Sequence, residues 1–200
     1  MTPATRTRLS PDERRAQLVE LGLELLSDRA LHEVSIDEVA AQAGISKALV
    51  FHYFGSKPEF LEAIAQAASD EFFEVTEPDP TLSLEDQIRS SMEAFVRYVS
   101  ENRVGYVLLV RGPGSGDEAM RQVFEGTRTR IVERIVSKLD LEEEPPSLRL
   151  SVRGWVAFAE EVTTSWVDDP ALPESELLTL LVESLTHLVA LALLGGDHPA

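Results

Sequence analysis

Residues 35–58, SIDEVAAQAGISKALVFHYFGSKP, constrain this chain more than any other stretch. They read as two short helices joined by a tight turn, with a third helix beginning at their end. Ser35 and Glu38 have the S-x-x-E spacing of a capping box, and Ile36, Val39, Ala40 and Ala43 then fall on one helical face. Gly44 follows as a residue that takes a left-handed backbone without a Cβ clash. Ser46 is placed to cap the second helix. Val50 and Phe54, four apart, can pack back on the first. Ser56 and Glu59 repeat the capping box for the third. This spacing is that of the unit that lays its second helix in the DNA major groove; a plain helical hairpin shares it.

The second helix has a face suited to that use. At about 100° per residue, Val50 and Phe54 mark its buried side. Ala48, Leu49 and His52 point the opposite way, Phe51 and Tyr53 flank them, and Lys47 lies in the first turn. Small residues, an imidazole, a phenol and a cation can meet base edges and phosphates. Lys57 opens the next helix, whose N-terminus also favours a phosphate.

The same residues resemble the DNA-binding domain of the tetracycline-repressor (TetR) family of bacterial transcription regulators. The likeness lies in Val39-Ala40, in Ala43-Gly44-Ile45-Ser46-Lys47, in Phe51-His52-Tyr53-Phe54 and in Ser56-Lys57. In detail it covers about the first 60 residues. Phe51 stands where the family usually has Tyr, and Leu49 where it often has a small or polar residue. The resemblance implies a double-stranded operator, palindromic for a two-fold dimer, and a second domain that binds a small inducer. The candidate DNA contacts are Ser35, Ser46, Lys47, Ala48, Leu49, Phe51, His52, Tyr53 and Lys57.

A net charge of −17 looks wrong for such a partner until the chain is split. Residues 1–57 hold 7 Lys+Arg and 8 Asp+Glu, whereas residues 58–200 hold 11 and 27. The acid therefore belongs to the second part. Arg6, Arg8, Arg14 and Arg15 make the N-terminal arm locally basic, either for phosphate contact or as a solvated tail. With no cysteine there is no disulfide and no thiolate chemistry. Uninterrupted apolar runs fall short of a membrane span, and the first residues lack the apolar core of a secretory leader. These features predict a soluble cytoplasmic protein with no membrane partner.

Helical punctuation continues to the end of the chain. Ser10-Pro11-Asp12-Glu13 is a capping box with Pro at the first helical position. Phe60, Ile64, Ala68 and Phe72 recur at four in the helix from Ser56. Leu84, Ile88, Met92, Phe95 and Val99 mark another helix, and a short one is expected over 103–110. RGPGSG leads to a helix faced by Met120, Val123, Phe124, Thr127, Ile131 and Ile135. Two more follow near 147–167 and 174–194. The prediction is an all-α chain of nine helices: a helix-turn-helix domain over 1–55 and an effector-binding and dimerisation domain over 56–200.

The last two helices are apolar on more than one side, which calls for a second wall. A symmetry mate would supply it through a four-helix bundle, with Trp155, Ala159, Leu181, Leu185 and Leu188 at the interface; a central hairpin in a monomer is the alternative. Phe95, Tyr98, Tyr106, Arg111, Phe124, Trp155, Phe158 and Trp166 are candidate ligand contacts, as aromatics on inward faces with a cation nearby. The four histidines, His32, His52, His187 and His198, have no metal-ligand spacing. Ser115 sits one place too late for a nucleophile elbow, and no cofactor motif is present. A ligand-controlled repressor is thus expected. A DNA-binding dimer governed by a protein partner, or a helical enzyme without recognisable machinery, are the other readings.

Overall fold

The computed structural model describes residues 9–26, 29–104, 106 and 118–194. Among these are eight α-helices and one 3-10 turn, and no strand. In chain order they are α1 (Pro11–Leu26), the turn Leu31–Glu33, α2 (Ile36–Ala43), α3 (Lys47–Phe54), α4 (Lys57–Val75), α5 (Leu84–Glu101), α6 (Glu118–Ser137), α7 (Pro146–Asp168) and α8 (Glu174–Leu194). The count of nine is corrected to eight: most of the stretch 103–110 lies outside the described residues, as do Arg6, Arg8, Arg111, the RGPGSG turn and His198.

Two cores organise the helices. The first joins α1, α2, α3 and the leading half of α4 around Leu18, Val39, Val50, Phe60 and Ile64, none of which is exposed. The Phe54 and Phe60 rings meet edge to face at 4.7 Å. The second joins the far end of α4 to α5, α6, α7 and α8 around Phe95, Val99, Val152, Trp155, Leu177 and Leu181. The Trp155 indole donates to the Leu181 carbonyl at 3.2 Å and to Ser184 Oγ at 3.0 Å, pinning α7 to α8.

The predicted caps divide. Ser10 and Glu13 form the reciprocal box, with Glu13 N–H donating to Ser10 Oγ at 3.2 Å and Ser10 N–H to Glu13 Oε2 at 2.7 Å. The Ser10 N–H, with the Ser10 hydroxyl, holds the Glu13 carboxyl below its ordinary pKa. Ser56 Oγ likewise accepts from Glu59 N–H at 3.3 Å. The Ser35–Glu38 box does not form. Ser35 makes no side-chain cap bond, and Glu38 instead accepts from Arg29 at 2.8 Å. A charged donor is a stronger partner for the carboxylate than a backbone amide.

Helix α8 corrects another expectation. By length and composition it is long and apolar enough to cross a membrane, with a mean hydropathy of 2.1 over its most apolar 18 residues. Uninterrupted runs missed this because Glu183 and His187 break them. In the fold one face of α8, through Leu177, Leu181 and Leu185, is core. Leu180, Leu191 and Leu194 on its other side are exposed.

Gly22 sets the spacing of α1 against α4. A Cβ there would lie 2.4 Å from Ile64 Cδ1, a side chain with no exposure. Gly22→Val is therefore expected to destabilise the chain by about 1–3 kcal/mol through overpacking, read as a lower midpoint in urea denaturation.

Candidate nucleic-acid interface and effector cavity

The turn between α2 and α3 is built as its sequence demands. Gly44 has φ 65°, the left-handed region, and ends α2. Its N–H donates to the Ala41 carbonyl at 3.1 Å, and the Ile45 N–H reaches back to Ala40 at 3.0 Å. This pair of bonds closes a Schellman end and satisfies carbonyls that α2 would otherwise leave open. Ser46 Oγ then accepts from Leu49 N–H at 3.3 Å and starts α3. Val50 and Phe54 face the core. Gly55, at φ 73°, turns the chain into α4.

That leaves one side of α3 in solvent. Ser46, Lys47, Ala48 and His52 are exposed, Leu49 and Ser35 are half-buried, and Phe51 and Tyr53 are half-buried with their bodies against the first core. Lys47 Nζ pairs with Asp37 Oδ2 at 2.8 Å across the turn; both ends are more than half exposed. Such a pair is worth little, so the ammonium can be redirected to a phosphate at small cost. Lys57 Nζ donates to the His32 carbonyl at 3.1 Å, which holds it beside the start of α4. Arg15, distinguished in the sequence by its charge alone, stacks 4.9 Å over the Phe54 ring and packs the back of the reading helix.

The second core encloses a cavity of about 370 Å³ between α4, α5, α6, α7 and α8. This lies in the range of small-ligand sites. Phe72, Ile88, Met92, Phe95, Tyr106, Ile131, Trp155 and Val189 are on its wall. A smaller hollow of about 60 Å³ lies towards the first core, lined by Ala65, Ser69, Tyr98, Phe124 and Arg128. Phe72, Tyr106, Ile131 and Glu160 line both. Burial raises the Tyr106 phenol well above its ordinary pKa, with the Glu160 carboxylate adding to the shift, so it stays a neutral donor.

Of the predicted ligand contacts, Phe95, Tyr106 and Trp155 line the cavity, and Tyr98 and Phe124 line the smaller hollow. Two are corrected. Phe158 points outward at 37% exposure. Trp166 packs on the second core away from both spaces and donates to the Leu172 carbonyl at 2.7 Å. Arg134, Ile88 and Val189 were missed. A cation beside the Ile131–Ile135 stripe was the available signal for Arg134.

The predicted interface residues lie largely in the core of their own chain. Trp155, Ala159, Leu181 and Leu185 are buried by their own chain, and Leu188 is half-buried there. The large apolar residues left uncovered on α7 and α8 are Leu150 at 74%, Phe158 at 37%, Leu180 at 42%, Leu191 at 66%, Leu193 at 38% and Leu194 at 76%. His187 is exposed on the same side of α8, with its Nδ1 2.8 Å from the Glu183 carbonyl.

A three-helix reading head on a helical body with an internal cavity defines a helix-turn-helix regulator of transcription. Known proteins agree. Residues 18–64 match the model of bacterial regulatory proteins of the tetR family, and residues 84–188 match a tetracyclin repressor-like C-terminal domain. The chain is 33% identical over 167 residues to the HTH-type transcriptional activator FasR of Mycolicibacterium smegmatis, covering 81% of this chain and 76% of that one. It is 30% identical over 91 residues to the regulator BetI of Escherichia coli, covering 46% of this chain and 40% of BetI. A tetR-family regulator from Streptomyces coelicolor superposes with TM-score 0.82 at 35% identity, over 94% of this chain and 85% of that one. The chain belongs to the tetR family of bacterial regulatory proteins. It is a DNA-binding transcription regulator, and its family is not one of enzymes.

Gly44→Ala is expected to cost about 1–2 kcal/mol, because a Cβ is disfavoured at that left-handed position. Equilibrium unfolding would show the loss, and operator affinity should fall with it.

Proposed function

We propose that this chain is a cytoplasmic homodimeric repressor that leaves a palindromic double-stranded operator when a small apolar or amphipathic effector fills the cavity of its body. Residues 1–55 are the reading head and residues 56–200 the effector-binding and dimerisation body. The observation that carries this reading is that α4 starts at the reading head and ends on the cavity wall, at Phe72. Activation is the second reading, favoured by the name of the mycobacterial relative, an activator. A promoter fusion decides between them. Release of a fluorescent promoter fragment on effector titration tests the mechanism, and a ligand that fills the cavity without altering DNA affinity would refute it.

In this reading Ala48, Leu49, His52 and Tyr53 face base edges, and Ser35, Ser46, Lys47, Phe51 and Lys57 lie along the backbone. Lys57→Ala is expected to weaken all sequences alike and to reduce the salt slope by about one unit. His52→Ala is expected to relax one base position at a cost of about 1–3 kcal/mol. Binding titrations at two salt concentrations separate these outcomes.

The second subunit covers the exposed stripe of α7 and α8. Leu150, Ala157 and Phe158 on α7 and Leu180, Leu191 and Leu194 on α8 recur at helical spacing. Gly154 lies among them, and a Cβ there would meet nothing within 4 Å, which leaves room for a close helix approach. Leu191→Arg is expected to give a folded monomer, because the residue supports no core of its own chain. Sedimentation alongside circular dichroism checks both halves of that statement.

A further inference from the structure

We propose that the effector is an amphipathic anion, whose head is held by Arg134 and Lys138 and whose apolar body fills the cavity. This rests on reading the cavity as the effector site and adds the chemistry of its occupant.

Among the described residues, the charged side chains on the cavity wall are Arg134, Lys138 and Glu160. Glu160 already has its counter-charge. Arg128 Nε and Nη2 reach its two carboxylate oxygens at 2.7–3.2 Å. Two cations remain on the wall, Arg134 in the last turn of α6 and Lys138 in the turn that follows it. They stand in a chain of net charge −17, so composition does not put them there.

Their positions are graded from outside to inside. Lys138 is exposed, as are two other residues of the cavity wall, Leu84 at 46% and Leu193 at 38%. Arg134 lies deeper, its side chain 19% exposed. Its carboxylate partner, Glu77, stands 3.6 Å away with its own side chain 62% exposed. Burial outweighs that pairing and pushes the guanidinium below its ordinary pKa. Arginine nevertheless stays charged in proteins. The result is a mostly buried cation whose carboxylate partner faces solvent, on the wall of a space that Ile88, Met92, Phe95 and Trp155 also line. An anion entering from the cavity side would pair with it there, whereas a cationic ligand would be repelled.

Arg134 also holds α4. It donates to Thr76 Oγ1 at 2.9 Å and to the Phe73 carbonyl at 3.4 Å, and its guanidinium lies 4.8 Å over the Phe73 ring. These contacts staple α6 to the last turn of α4. An anion that recruits the N–H groups of Arg134 competes with the staple, so one side chain both reads the head group and holds the helix that begins at the reading head.

Trp155 lies on the cavity wall and reports occupancy through its emission, with Trp166, outside it, as a constant background. The full-length protein is titrated with decanoate, decyl phosphate, decanol and decylammonium below their micellar concentrations. The anions are expected to bind at least about tenfold more tightly than the alcohol, as charge-assisted bonds are the stronger ones, and decylammonium the most weakly. The carboxylate-to-phosphate ratio identifies the head. Lys138→Gln, at an exposed site, is expected to weaken both anions several-fold and leave decanol unchanged. Arg134→Gln, checked for folding by circular dichroism, should abolish the anion preference, and Arg134→Lys should restore part of it. Equal binding of decanol and decanoate by the native protein overturns the anion proposal and leaves the cavity as the effector site. Silence towards all four compounds overturns that reading as well.

Discussion

One helix is buried at its two ends in different cores, and the rest of the molecule depends on it. Phe60 and Ile64 of α4 are wholly buried in the core shared with the reading head, while Phe72 belongs to the core of the body. The 19 residues of α4 span about 28 Å at the rise of an α-helix. Packed cores resist continuous deformation. A shift of α4 at Phe72 therefore cannot be absorbed locally; it is carried to Phe60, where Phe54 of the reading helix rests against it.

What holds the far end of α4 decides how such a shift is controlled. Apolar contacts there tolerate sliding, whereas hydrogen bonds weaken steeply with misalignment. Several polar ties join α4 to α6. Ser69 and Thr127 share a hydrogen bond of 2.8 Å, Arg130 reaches Asp70 at 2.8 Å and stacks 4.0 Å over Phe73, and Arg134 caps the last turn. Such ties favour discrete arrangements over a continuum. A ligand shifts them only by the difference in its affinity for the two, and moving a population from 99:1 to 1:99 takes about 5.5 kcal/mol. Filling a cavity with apolar bulk in both arrangements would supply none of it. In the proposed mechanism, contact with groups that also hold α4 is the route by which occupancy becomes differential.

The sequence made the reading head legible because local rules govern it. Gly44, Ser46, Val50 and Phe54 each do what their type and spacing foretell, and helix boundaries elsewhere agree within a residue or two. Ser35 failed because a distant partner, Arg29, captured Glu38, and no local pattern contains that competition. The body was legible as helices but not as surfaces. The leucines of α8 announce two apolar faces without saying which is covered by the chain itself, so Leu181 and Leu185 were assigned to a partner while Leu180 and Leu191 were the ones left bare. Aromatic residues were similarly ambiguous. Trp155 and Trp166 are eleven positions apart on one helix, yet only the first meets the cavity, because α5 and α6 enclose the space at that level alone.

The acidity of the body is compatible with DNA binding because of the same geometry. Residues 58–200 carry 27 acidic against 11 basic side chains, a charge that would repel an operator if it lay beside it. Exposed charges are screened over about 8 Å at physiological salt. The far end of α4 lies several such lengths from the reading head, so most of the repulsion is lost before it reaches the duplex. What survives acts on orientation, turning the acidic end away and the nearly neutral head forward during approach. The exposed stripe of α7 and α8 is not free of this field: Arg153, paired with Glu125, is exposed next to Gly154, and Glu183 is exposed on the side of α8 that bears Leu180 and His187, so a second body joined there would meet both signs of charge around an apolar centre.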